Sequence, residues 1–190
     1  DPDSLGFDTI YVRLTDNADP ESKALDYLIL NEIGILPYFE MGNVTDAAAF
    51  IVITNLRNVN AGLDMSKVID AQGLMFGCGL IGFKGEKLPV YDYSSVENGL
   101  AMFDSCPNMI MTGPLDLRSL SDGTDMFASG PMLSPQHFAE TLEIFAVLNP
   151  NSSVVANFGD NIYCDWAQTY YDELEGRSWT FTDSGSEVCT

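Results

Sequence analysis

The sequence predicts an α/β fold, a small distorted (β/α) barrel-like domain. An open doubly wound sheet is the second arrangement and a mainly antiparallel sandwich the third. Three observations predict it. Eight short apolar runs, 8–16, 35–40, 49–55, 74–81, 88–92, 109–116, 153–160 and 178–183, have the composition of strands. Several are separated by stretches of helical periodicity, and alternation of the two element types favours parallel crossovers. Most of the runs end in a carboxylate, and in α/β folds ligands meet the chain at the carboxyl ends of strands. A chain of 190 residues is below the usual size of an eight-fold barrel, so some helices must be short or missing. One domain over residues 1–190 is the simplest division.

The elements follow in order. Residues 8–14 alternate as a strand; Asp19 and Pro20 open a helix bearing Leu25, Leu28, Ile29 and Ile33, which Gly34 stops before a strand at 35–39. Met65, Val68 and Ile69 suggest one short helix before Gly73. The segment 82–87 suits a hairpin turn. Ser94 and Glu97 form a capping-box pattern for a helix with Val96, Leu100 and Phe103 on one face, and 109–111 is the next strand. Residues 119–132, rich in Ser, Gly and Asp, read as a long loop. Ser134-Pro135 opens a helix with Phe138, Leu142, Phe145 and Leu148 on one side, closed by Pro150. Residues 154–158 form a strand. Asp160 then caps a helix with the stripe Ile162, Trp166, Tyr170 and Leu174, ending at Gly176, and 179–182 is the last strand. No internal repeat is read from the sequence.

Composition narrows the partners. The 46% apolar content and 21 aromatic residues suit a packed core. Net charge is −20, from 28 acids against 8 bases, a field that repels phosphate backbones and anionic headgroups. Nucleic acid and membrane surfaces are therefore not expected. A neutral polysaccharide or an extracellular protein, including a second copy of the chain, is expected. The chain begins at Asp1 without a charged apolar leader, which reads as a processed or trimmed start. Four cysteines permit two disulfides, Cys164 with Cys189 and Cys78 with Cys106. With few lysines, they favour a secreted, extracellular protein over the cytoplasm of a halophile. Asn43 and Asn151 head glycosylation triplets.

The acids at the run ends, Asp16, Glu40, Asp92, Asp116, Asp160 and Asp183, would meet at one mouth of a barrel. Paired carboxylates there could act as acid and base on a glycosidic bond. Glu40 and Asp92 are the expected catalytic pair, because each is a lone acid in an apolar, aromatic stretch where burial would raise its pKa. Tyr38, Tyr91, Tyr93 and Trp179 would be the sugar-stacking, substrate-binding rings. No cofactor is required. Asp92 and Asp116 could hold Ca²⁺ or Mg²⁺, which oxygen ligands alone can bind, with Asp122 and Asp125 as further donors. His137, in the first turn of its helix, lacks a nucleophile and reads as structural. The glycines around Cys78 read as close packing.

Two family resemblances attach to these residues. Gly113-Pro114-Leu115-Asp116-Leu117 and Asp92 make 91–123 similar to part of the metal-dependent class II aldolases of the HpcH/HpaI kind, in which a strand-end acid and this segment bind a divalent ion. That resemblance implies a metal-dependent lyase. It departs from the family where Asp92 replaces Glu and where no catalytic His stands near Asp16. The size and strand-rich plan also resemble the small lysozyme-type barrels of glycoside hydrolase family 25, although Asp92-Tyr93-Ser94 replaces their Asp-x-Glu strand end. The functional expectation is a secreted carbohydrate-active hydrolase with a carboxylate pair at strand ends. A non-catalytic extracellular binding or self-assembling structural subunit is the alternative, and the metal-dependent lyase is the third.

Overall fold

A computed structural model describes residues 44–50, 64–78, 91–130 and 133–189, together with the strand pairs 12–13, 39–40 and 87–88. It is a mixed α/β structure, and among the described residues no barrel closes. The strands are β1 (Val12–Arg13), β2 (Phe39–Glu40), β3 (Lys87–Leu88) and β4 (Ile110–Met111), then β5 (Val155–Asn157), β6 (Tyr163–Cys164), β7 (Thr180–Thr182) and β8 (Ser186–Glu187). The helices are α1 (Pro135–Leu148) and α2 (Gln168–Gly176). The strands pair two by two and always in parallel: β1 with β2, β3 with β4, β5 with β7, and β6 with β8.

Parallel bridges also run in unbroken succession from Asp46 to Asp70, to Asn98 and to Asp122, and Gly123 continues them to Ala156. The chain therefore winds in stacked coils, each pairing with its equivalent in the next. The described parts of these coils are 44–50 (coil 1), 64–78 (coil 2), 92–106 (coil 3), 116–130 (coil 4), 149–164 (coil 5) and 177–189 (coil 6). Their rungs are backbone hydrogen bonds from one coil to the following one. Ala47 N–H donates to the Asp70 carbonyl (2.8 Å), Ala71 to Asn98 (2.9 Å), Gly99 to Asp122 (2.7 Å) and Gly123 to Val155 (2.8 Å). A second row joins Ala49 to Gln72, Gly73 to Leu100 and Ala101 to Thr124. A barrel needs a sheet that returns to its first strand. Here every described rung moves one coil further along the stack, so the expected closure does not occur among the described residues.

The coils are internal repeats, contrary to the sequence reading. Residues 64–78, 92–106 and 116–130 superpose in spacing, with successive copies 28 and then 24 residues apart. The equivalent columns are Met65, Tyr93 and Leu117; Val68, Val96 and Leu120; Ala71, Gly99 and Gly123; Leu74, Met102 and Met126; and Met75, Phe103 and Phe127. All of them are buried. Inward positions fall at every third residue through much of each coil. A period of three lies close to the helical 3.6, which is why 65–69 and 94–103 read as helices; both are turns and bridges instead. The run 74–81 is likewise a turn where it is described, and 119–132 is largely coil 4 rather than a free loop.

Coils 1 to 4 each turn a corner on an equivalent left-handed residue: Ala49 (φ 53°), Gly73 (φ 60°), Ala101 (φ 51°) and Asp125 (φ 54°). These follow the bridging Asp or Asn at the same interval. Only coil 2 places glycine there, the residue for which this backbone carries no Cβ penalty. Gly159 (φ 57°) is a second constrained turn, where an added Cβ would strike the Phe127 carbonyl oxygen.

Aromatic rings stack through the core along the coil axis. Ring centroids lie 5.9 Å apart for Tyr93 and Phe103, 5.3 Å for Phe103 and Phe127, and 5.2 Å for Phe127 and Phe158. Phe138 of α1 joins Phe158 at 4.3 Å, and Phe145 links it to Trp179. Helix α1 forms as expected, with the Ser134 hydroxyl accepting the His137 N–H and Pro135 in the first turn. Its end is held by Arg177, whose guanidinium donates to the carbonyls of Ala146 (3.1 Å), Asn149 and Asn151 (2.7 Å). Helix α2 begins at Gln168 after a 3₁₀ turn (Asp165–Ala167), so Asp160 is not its cap. Coil 6 is the last described coil, and its exposed residues are mostly polar. The Cys164–Cys189 disulfide ties coil 6 to coil 5, as expected. The second expected bridge is not formed: Cys78 and Cys106 are buried thiols. The helix expected at 19–33 lies outside the described residues.

Two substitutions test this geometry. Ala101→Gly relieves a left-handed corner and should raise unfolding stability by about 0.5–1 kcal/mol in urea titration. Gly159→Ala combines a left-handed backbone with a collision against a backbone oxygen and should cost about 2–4 kcal/mol in the same measurement.

Candidate functional site

The repeat lines up two columns of carboxylate and amide side chains, at the surface except for the buried Asn149. In the first, Asp64, Asp92, Asp116 and Asn149 each accept a backbone N–H two residues ahead, from Ser66 (3.2 Å), Ser94 (3.0 Å), Arg118 (3.3 Å) and Asn151 (2.8 Å). In the second, Asp46, Asp70, Asn98 and Asp122 do the same for Ala48 (3.0 Å), Gln72 (3.0 Å), Leu100 (3.1 Å) and Thr124 (2.9 Å). Asp and Asn suit these places because a short side-chain oxygen can close such a turn on its own backbone.

Stacking carboxylates at coil spacing sets like charges next to one another, and the chain offsets this locally. Asn98 stands between Asp70 and Asp122, and its Nδ2 donates to Asp70 Oδ1 at 3.1 Å. Arg118 grips Asp116 through two nitrogens, Nε lying 2.9 and 3.1 Å from the carboxylate oxygens, and closes an ion pair with it. Serine hydroxyls join the coils between the columns: Ser95 donates to Ser66 O (2.6 Å), Ser119 to Ser94 O (2.7 Å) and Ser121 to Glu97 O (3.0 Å). Lys67, Ile69, Glu97, Arg118 and Ser121 stand exposed on the same stretch.

Of the residues singled out in the sequence, the structure brings Asp92 and Asp116 together, on adjacent coils of one column. The setting differs from a barrel mouth. Asp92 is exposed, and hydrogen bonds from the Ser94 hydroxyl and backbone, aided by the Arg118 charge, hold its carboxyl below the ordinary range. The same kind of bonding, chiefly from Ser66, lowers Asp64. The expected upward shift at Asp92 is therefore reversed, because the residue closes a turn at the surface instead of lying in an apolar pocket. Glu40 lies in β2 with its backbone opposite Arg13; its side chain, Tyr38 and Asn43 fall outside the described residues, as does Asp16.

The expected ring platforms are core residues. Tyr93 is fully buried, and its hydroxyl has no hydrogen-bond partner among the described residues. Tyr91 packs edge-on against it. Trp179 lies between Phe145 and Phe181 and donates its indole N–H to Asn151 O at 3.0 Å. These rings have no open face for a sugar. Asp160 and Asp183 belong to coils 5 and 6 and are not members of the column of Asp92. Asn151 spends its amide on the Ser119 (3.1 Å) and Leu120 (3.0 Å) carbonyls. No group of three or more His, Cys, Asp or Glu among the described residues is arranged to hold a metal ion. Asp116, the second expected ligand, is occupied by Arg118. The aldolase-like segment at 113–117 is thus an entry into coil 4.

The columns were missed because they become visible only when 64–78, 92–106 and 116–130 are laid over one another. The alignment then shows an acid at the first position and Asp or Asn at the seventh in all three. Comparison with family models, curated proteins and solved structures yields no match to this chain.

The two lowered pKa values fix an acid response. A carboxyl depressed in the folded state adds stability that is present above its unfolded pKa and is lost as pH falls through its folded pKa. Stability should therefore decline below about pH 4, the ordinary carboxylate range. Asp92→Asn keeps the turn and should flatten that decline while changing stability at pH 7 little; Asp92→Ala should cost about 1 kcal/mol at pH 7. Denaturant titrations between acid and neutral pH measure both.

Proposed function

We propose that the chain is a non-catalytic extracellular recognition module whose stacked coils present an acidic ladder to a basic face of another protein. The observation that carries this reading is the repetition itself. Equivalent side chains recur at equivalent positions on successive coils, so the surface is a regular array on a rigid backbone, the form repeat proteins use for extended binding. Charge indicates the partner's sign: a chain of net charge −20 attracts basic surfaces and repels phosphate-rich ones. The Cys164–Cys189 bridge is consistent with an oxidising compartment, and no described helix is long and apolar enough to cross a membrane.

Among the described residues, two observations favour recognition over the catalytic alternatives. A general acid needs a raised pKa, and Asp92 is shifted downward, which speaks against that role for Asp92 itself. A sugar site needs exposed rings, and Tyr91, Tyr93 and Trp179 are buried.

Binding of a fluorescent oligolysine, followed by anisotropy as salt is raised, tests the ladder. Asp70→Asn and Asp122→Asn preserve the turn hydrogen bond, and each should weaken binding about three- to fivefold at low salt. Glu173→Gln on α2 removes the same charge elsewhere and should leave binding nearly unchanged. Equal losses in all three variants would reduce the effect to bulk charge and defeat the reading. Association of the protein with itself in place of the cationic probe would favour a self-assembling subunit instead.

A further inference from the structure

Cys78 and Cys106 hold the same position in consecutive coils, each following its bridging residue, Asp70 or Asn98, at the same interval. Both are wholly buried. Just before them Gly77 N–H donates to the Asp104 carbonyl at 3.0 Å, which keeps the two coils in register where the thiols lie. Coils joined by parallel rungs are about 4.8 Å apart, inside the Cα separation of about 4.4–6.8 Å that a disulfide spans. The Cys106 thiol donates to Met75 O at 2.8 Å and also shares a hydrogen bond with Cys78. The column ends at coil 4, where Gly130 takes the place and an added Cβ would meet the Phe103 carbonyl at 2.9 Å. Only coils 2 and 3 of the three aligned repeats present thiols to each other.

We propose that Cys78 and Cys106 form a reversible dithiol–disulfide couple that staples coil 2 to coil 3, beside the structural Cys164–Cys189 bridge. Oxidation proceeds by exchange with a small disulfide of the glutathione class. One protein thiolate attacks it, forms a mixed disulfide and expels the first small thiolate. The second cysteine, deprotonated, then attacks the protein sulfur of the mixed disulfide and expels the second. One external S–S bond breaks and one internal S–S bond forms. Two electrons pass to the small disulfide, and the two protein protons end on its thiols or in water. The Cys78 hydrogen bond, followed by burial, pushes the Cys106 thiol above its ordinary range, so exchange awaits local opening of the coils.

The test is to reduce the chain fully in denaturant and refold it in glutathione buffers from reducing to oxidising, which removes the question of access. Acid quenching, alkylation and peptide mass spectrometry then read each cysteine. A linked Cys78–Cys106 peptide should appear at a more oxidising poise than Cys164–Cys189, with a higher melting temperature. Dithiothreitol at native pH should return both thiols while Cys164–Cys189 persists. Cys78→Ala and Cys106→Ala should each abolish the linked peptide while Cys164–Cys189 still forms after refolding at the oxidising end. Alkylated Cys78 and Cys106 at the oxidising end, with Cys164–Cys189 formed, would overturn the proposal. So would glutathione on both cysteines of the unsubstituted chain, or a Cys78–Cys106 bridge no easier to reduce than its neighbour.

Discussion

The row of backbone hydrogen bonds through Asp46, Asp70, Asn98 and Asp122 is the constraint on which the rest of the structure depends. Each rung joins segments 24 or 28 residues apart, so no coil can satisfy this row alone. Once the rungs form, the spacing of buried side chains follows. Val68 lies under Val96 and Leu120, and the Phe103, Phe127 and Phe158 rings meet along the axis. Large apolar area leaves water only when neighbours stack, which makes the fold a sum of nearest-neighbour interfaces.

Beyond coil 4 the stack is held together by different means. Helix α1 packs Phe138 and Phe145 onto the ring column, and Arg177 gathers the carbonyls that follow its last turn. Asn149, buried, donates to the Leu117 and Leu120 carbonyls and so replaces the rungs that the longer coil 4-to-5 connection interrupts. Coil 6 turns polar outward, and its disulfide to coil 5 limits fraying. The same regularity that builds the core sets carboxylates in columns on the surface, and Asn98 and Arg118 moderate the resulting repulsion without removing the net negative field.

Much of the C-terminal part was legible in the sequence. Ser134-Pro135, the stripe of Phe138, Leu142 and Phe145, and the Cys164–Cys189 pair each act through local rules, capping, periodicity and loop closure, and each stands as read. The strands at 155–157 and 180–182 were also legible from β-branched and aromatic composition. The coils were not. Their inward period of three imitates a helix over short windows, and unequal repeat lengths of 28 and 24 residues hide the repeat. Size substitutions within a column, such as Met65, Tyr93 and Leu117, hide it further. The setting of Asp92 and Asp116 was hidden for a related reason: both stand out in the sequence as acids near apolar runs, but a carboxylate that closes a turn and one that ends a strand have the same sequence signature.

From sequence alone came the acidic field, a chain able to form a core, the caps of α1 and the cysteine pair that closes the tail. These depend on composition or on neighbours a few residues away. Tertiary structure decided that the parallel segments stack instead of closing, that Tyr93 and Trp179 face inward, and that Asp64, Asp92 and Asp116 share a column. Those outcomes rest on pairing between residues more than twenty positions apart, whose register is set by the packing of whole coils.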